Sequence, residues 1–210
     1  MLGFPKATEM SRPLPKKAIF GKFKPAPAAR LLFDREIHRL ALAGEVSPAT
    51  VNIAAGAHVS AFYVVLVSLK GAGCDRKNLA LLGQLIPQNL LFVLEHEGQA
   101  RLAAYRAGRV VQSAWKPLAE WVINLTGLDL DRVWENIIVQ IGGLEVAEGR
   151  TLDEQLAVDE AREKALRRIE RLEKQARKEQ QPRRKWDMAE EISRLVELVD
   201  DFRRLNKTVG

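Results

Sequence analysis

The sequence predicts an α+β protein: a mixed β-sheet flanked by helices, with a C-terminal antiparallel, coiled-coil-like helical hairpin. Three observations predict it. Short apolar runs rich in β-branched and aromatic residues, the longest being Ala61–Val67, recur between Thr50 and Trp115. A helical apolar stripe interrupts them at residues 76–87, and two more flank them at 31–42 and 129–141. From Thr151 onward the chain turns into charged, helix-period sequence broken once, at Pro182. The expected organisation is a core over residues 1–147, opened by a basic, proline-rich arm (1–27), and a helical hairpin over 151–206.

The arm holds Lys6, Arg12, Lys16, Lys17, Lys22, Lys24 and, just beyond it, Arg30, against Glu9 alone. Leu14, Ile19, Phe20 and Phe23 stand between the lysines as apolar anchors. Its prolines preset φ, so it loses less entropy on docking than a flexible segment would. It either packs across its own domain or docks on a partner.

After Pro25 and Pro27, the stretch 27–48 reads as one helix, with Leu31, Leu32, Ile37, Leu40 and Leu42 as its stripe and Gly44 and Pro48 as its stop. Residues 50–56 ("TVNIAAG") and 61–70 ("AFYVVLVSLK") read as strands, the second central because it is apolar on both faces. "GAGCDRKN" is a turn into a helix that Pro87 ends, and Cys74 near its start is placed for a lowered thiol pKa. Residues 89–116 read as a meander with turns at Glu97-Gly98 and Ala107-Gly108. A helix follows with Asp129 as N-cap, Val133, Trp134, Ile137, Ile138 and Ile141 as stripe, and Gly142-Gly143 as stop. Trp115, Trp121 and Trp134 read as core or core-edge residues. Thr151 and Glu154 form a capping box for a long helix whose apolar side is Leu152, Leu156, Ala165, Leu166, Ile169, Leu172 and Ala176. Beyond Pro182, Met188, Ile192, Leu195, Val199 and Phe202 make a short heptad seam. That seam suits an intramolecular hairpin and also a homodimer.

At 210 residues with 47% hydrophobic residues, the chain can bury a substantial core. It lacks the run of roughly 20 apolar residues that spans a bilayer, and its start has no secretory pattern. A single cysteine fits a reducing interior, so a cytoplasmic protein without membrane contact is expected. Net charge is +6, and residues 1–30 and 160–185 each contribute that much alone, so the remainder is acidic. Such blocks favour polyanions or acidic partner surfaces.

Motifs for catalysis are scarce. No phosphate loop, zinc-ligand spacing or GxSxG elbow is present, and no cofactor is expected. His38, His58 and His96 form no HxxxH or HxH pair. The order helix–strands–helix–strand is similar to the restriction-endonuclease core, where a carboxylate and a Glu-x-Lys pair bind a metal and activate water. Here the strand end reads Ser68-Leu69-Lys70, and Thr50–Ser60 contains no acid. Glu95 and Glu97 flank a turn and read as solvent-facing. Catalytic and metal-binding residues are therefore not assigned.

The basic blocks supply the contact candidates: Lys16, Lys17, Lys22 and Lys24 in the arm, and Arg167, Arg168, Arg171, Lys174, Arg183, Arg184 and Lys185 in the tail. The tail cations alternate with glutamates, which fits a solvated helix held by i,i+4 pairs. "PRRKW", Arg183–Trp186, instead meets no acid before Asp187 and falls at the expected hairpin tip, where phosphate contact is geometrically easy.

"PKATEMSRPLPKKAIF", "ATVNIAAG", "NLLFVLEHEGQARLAAYR" and "LDRVWENIIVQIGG", in that order and before a charged helical tail, resemble one bacterial domain family of unknown function. The resemblance covers nearly the whole chain. It implies a neighbourhood, because such proteins tend to be encoded beside DNA methyltransferases and superfamily-2 helicases of restriction-like or phage-defence systems. Members often carry Glu-x-Lys where this chain has Ser68-Leu69-Lys70. The expected function is a non-catalytic accessory subunit of such a complex, partnered by the helicase or methyltransferase and touching the DNA backbone. The alternatives are a degenerate or unconventional endonuclease-like nuclease and a free-standing, non-specific nucleic-acid binder.

Overall fold

A computed structural model describes residues 2–207. The chain divides into two compact units, Met1–Leu144 and Glu145–Gly210.

The first unit is built on a seven-stranded mixed sheet. Its strands are β1 (Glu9–Pro13), β2 (Ile37–Val46), β3 (Phe62–Leu69), β4 (Asn89–His96), β5 (Gln99–Arg106), β6 (Arg109–Gln112) and β7 (Lys116–Pro117). They lie in the order β1-β2-β3-β4-β5-β6, with β7 on β5. Among these strands β3 and β4 pair in parallel and the other pairs are antiparallel. A parallel pair needs a crossover, and α4 (Arg76–Leu85) supplies it, its N-terminus capped by the Asp75 carboxylate. The central position of β3 follows from its sequence: Phe62, Val64, Val65 and Val67 are almost fully buried, split between the two faces of the sheet.

On one face lie α1 (Lys16–Phe23), α2 (Pro27–Glu36) and α4, around Phe20, Phe33, Leu79, Leu82, Val67 and Phe92. The opposite face is covered by α5 (Leu130–Gly142), where Trp134 tilts against Phe62 with ring centroids 5.1 Å apart. The expected N-cap, stripe and stop of α5 are all present: Asp129 accepts from Arg132 N, the five apolar residues are buried, and Gly143 closes the helix in the left-handed region.

The arm belongs to this unit as structure. β1 pairs antiparallel with β2, so the arm supplies the edge of the sheet. α1 follows, and its Ile19 and Phe20 are buried, Phe20 standing edge-on to Phe33 at 5.3 Å. Pro13, at the end of an edge strand, is where a residue without an N–H donor costs the ladder least.

Two readings of the sequence are corrected. The helix expected over 27–48 ends at Glu36, and the chain continues directly into β2. Leu40, Leu42, Gly44 and Val46 alternate with period two, and a strand pairing on both sides outweighs the helical spacing of the residues before it. The strand expected at "TVNIAAG" is a single helical turn, α3 (Pro48–Val51), followed by a loop. Asn52 turns the chain at φ 54°, and the His58 and Val59 donors go to a side chain rather than to a neighbouring strand. Asp131 on α5 accepts from Val59 N at 2.6 Å and from His58 N at 3.1 Å. Burial works against the charge on Asp131, yet these backbone bonds hold its carboxyl below the usual range. Gly56 is required there, since a Cβ would stand 2.2 Å from that carboxylate.

The β4–β5 and β5–β6 turns place two consecutive residues at positive φ, Glu97-Gly98 and Ala107-Gly108. This is the signature of two-residue hairpin turns whose twist matches the strands.

The second unit holds α6 (Leu152–Ala176) and α7 (Pro182–Lys207). The capping box forms as expected, with Thr151 Oγ1 accepting from Glu154 N and the Glu154 carboxylate accepting from Thr151 N. The two helices lie side by side as an antiparallel pair, tied by Arg168–Glu191 at 2.8 Å. Met188, Ile192, Leu195, Val199 and Phe202 form the less exposed face of α7. One expected seam residue is displaced: Leu166 is 43% exposed, because Ala165 takes the inward position beside it. Among the described residues, no helix is long and apolar enough to cross a membrane.

Candidate nucleic-acid interface

The end of the sheet where a Glu-x-Lys pair would act is built from α2, β2, β3 and the start of α4. Ser68, 8% exposed, accepts from Arg39 Nε at 3.3 Å across the β2–β3 ladder. Lys70 Nζ donates to the Asp34 carbonyl at 2.6 Å. The nearby carboxylates are already engaged. Asp34 accepts from Lys16 Nζ at 3.1 Å, and Glu36 accepts from Asp75 N at 2.8 Å and Asn78 Nδ2 at 2.9 Å. Glu36 thus fastens the end of α2 to the start of α4, a role the sequence concealed by presenting it inside a longer helix. Glu45, the one acid on β2, pairs with Tyr63 at the far end of the ladder. Among the described residues, no three His, Cys, Asp or Glu side chains gather as a metal ion requires. Burial pushes the Cys74 thiol up to about 11, reversing the expected activation. Glu97 faces solvent, whereas Glu95 is half-buried and accepts from Gly98 N within the turn.

A cleft of about 400 Å³ lies elsewhere in this unit, walled by Gly3, Val51, Ile53 and residues 122–126. No titratable side chain lines it.

The arm cations have unequal surroundings. Lys16 is half-buried, bonded to Asp34 and the Ile37 carbonyl, and stands 5.8 Å from the Phe33 ring. Lys22 lies over Phe23 at 5.2 Å, while Lys17 and Lys24 are exposed on α1 and its left-handed C-cap. Lys16 is spent on the fold, and the other three remain accessible.

In the hairpin, the cations divide by position. Along the shaft they are matched by acids: Lys164 with Glu160, Arg167 with Glu163, Arg168 with Glu191, Lys174 with Glu170. The Arg168 hydrogen bond holds the Glu191 carboxyl below its usual range, and Lys174 does the same for Glu170. Arg171 is exposed beside this ladder. At the tip the matching stops. Arg177, Lys178, Arg183, Arg184 and Lys185 are all exposed, and among the described residues none makes an ion pair. Glu179, the acid within the connection, is committed to the N–H groups of Gln180 and Gln181, both at 2.9 Å.

The tip runs against the helix dipole. The first turn of α6 carries Asp153 and Glu154, as the positive end of a helix favours. The first turn of α7 carries no acid and three cations, Arg183, Arg184 and Lys185. Each cation at that end costs about 0.3–1 kcal/mol. An anion bound there would relieve the repulsion, and helix N-termini bind phosphates for this reason. Trp186 completes the tip, 66% exposed. The sequence marked Arg183, Arg184 and Lys185 but passed over Arg177 and Lys178, whose neighbour Glu179 looked like a partner and is instead a loop cap.

A family model described as "Domain of unknown function (DUF4391)" matches residues 2–198. No curated protein and no solved structure matches the chain.

Proposed function

The chain therefore belongs to that family, and with a family of unknown function as the premise we propose that it is a non-catalytic accessory subunit that contacts the nucleic-acid backbone through its hairpin tip. One observation carries the reading: five exposed cations without ion-pair partners among the described residues, three of them at the positive end of α7. Backbone contact asks for this and no more, since phosphates are met by exposed Arg and Lys without base-reading geometry. The assembly is part of the same proposal. The core provides the protein-binding surface, and the partner is a helicase or DNA methyltransferase of a restriction-like or phage-defence system, as the ordered motifs imply.

A nuclease needs a different arrangement at the end of β3. The order α2-β2-β3-α4-β4, with the single turn α3 between β2 and β3, is similar to that of such a core. Ser68 is nevertheless bonded to Arg39, Lys70 to a backbone carbonyl, and Glu36 to the start of α4. Those bonds favour the accessory reading.

The proposal is tested by fluorescence anisotropy with a labelled duplex of arbitrary sequence over a salt series. Neutralising five phosphates gives log Kobs against log[salt] a slope of about −4 to −5. A slope near zero would remove the tip as a backbone contact.

A further inference from the structure

We propose that the tip takes single-stranded nucleic acid in preference to duplex, with Trp186 as the platform on which an unpaired base stacks. The inference rests on the backbone-contact reading above and adds the substrate class.

The four tryptophans show why Trp186 stands apart. Trp134 is buried against Phe62, Trp121 is buried and donates Nε1–H to the Ala100 carbonyl at 2.9 Å, and Trp115 lies under the Arg101 guanidinium at 5.4 Å. Among the described residues Trp186 makes no comparable contact, and it is 66% exposed. An indole buries some 150–250 Å² when it finds a surface, so leaving it in water gives up a large stabilisation.

Its mount is stiff. Pro182 opens α7, Lys185 N bonds the Gln181 carbonyl at 3.0 Å, and the Glu179 carboxylate holds the two residues before the proline. A base stacking on Trp186 therefore meets a preset ring and costs little ordering. Arg183, three residues back, shares the helix face with Trp186, which puts a phosphate contact beside the stacking surface.

The chemistry separates the polyanions that would suit the cations alone. A duplex offers phosphates but keeps its base faces in the stack. An acidic peptide offers charge without an aromatic face. An anionic membrane rewards several apolar side chains, and Arg183, Arg184, Lys185 and Asp187 around Trp186 are charged. A single strand presents phosphates and free π-faces together.

The test uses the full chain with fluorescein-labelled oligo(dT), the matching dT·dA duplex and phosphatidylserine vesicles. Wild type binds oligo(dT) more tightly than the duplex, and oligo(dT) quenches tryptophan emission. W186A lowers oligo(dT) affinity by about 5- to 150-fold, the range spanned by one stacked base, W186F restores most of it, and both leave duplex affinity within about twofold. The quenching disappears in W186F. Unchanged oligo(dT) affinity in W186A, or a loss confined to vesicle binding, would overturn the inference. R183E/R184E/K185E separates the two levels of the reading. If it weakens both nucleic acids while W186A changes neither, stacking is wrong and backbone contact stands; if it too changes neither, both readings fall.

Discussion

Replacing Arg183, Arg184 and Lys185 together by Glu is expected to weaken duplex binding by about 10²- to 10³-fold at about 0.1 M salt. The size follows from counting. Each phosphate contact releases close to one counterion, worth nearly a factor of ten at that salt concentration, and the triple variant loses three. The salt slope should flatten by about 3 in the same experiment. The fold should be unaffected, because all three side chains are exposed and removing cations from the first turn of α7 relieves the helix dipole. The circular-dichroism melt should therefore hold or rise. As a control, K164E/K174E reverses two cations that already face Glu160 and Glu170, and it should alter binding far less. Equal losses from tip and shaft would mean that binding follows overall charge rather than the tip.

The second large effect concerns the arm. Phe33→Ala is expected to cost about 3–5 kcal/mol and to lower the melting temperature by roughly 6–20 °C. Phe33 is fully buried, and it seats two arm residues at once, with the Phe20 ring edge-on at 5.3 Å and the Lys16 ammonium 5.8 Å away. Removing the ring opens a cavity beneath α1 and takes away what holds that helix down. Trypsin should then cut at Lys17 and Lys22 in the native protein faster than in wild type, ahead of global unfolding. Phe33→Leu keeps most of the volume and should recover much of the loss. Cleavage of the arm at wild-type rates in Phe33→Ala would show that α1 is held elsewhere.

This answers why the chain opens with a basic, proline-punctuated segment. It supplies the edge strand β1 and the helix α1, both fixed to the first unit, and only some of its lysines are spent in doing so. The alternative, an arm kept free for a partner, does not fit buried Ile19 and Phe20.

How much of this could be read in the residues differs from place to place. The β4–β6 meander was legible because alternation and turn residues agree, and Glu97-Gly98 and Ala107-Gly108 do adopt the positive φ such turns need. The α5 helix was legible because cap, stripe and stop all pointed the same way. The α2–β2 boundary was not. Leu31, Leu32 and Ile37 satisfy a helical period up to the residue where the period changes, and no proline or glycine marks the junction. That one miss hid Glu36, whose function depends on standing at a helix end beside the start of α4. The loop at 52–60 failed for another reason. Its β-branched and alanine-rich residues suit a strand, but the His58 and Val59 donors are taken by Asp131, more than seventy positions away. Long-range capping of this kind leaves no local trace. At the tip, charge was visible in the sequence, whereas the commitment of Glu179 to its loop and the exposure of Trp186 arise only from the fold.

The most direct test of the hairpin as the contact surface is ultraviolet crosslinking of the intact protein to labelled nucleic acid, with the crosslinked peptides mapped by mass spectrometry. Crosslinks are expected to concentrate between Arg177 and Trp186 and to be lost in the Arg183, Arg184, Lys185 triple variant. Crosslinks concentrated on the first unit, and persisting in that variant, would contradict it.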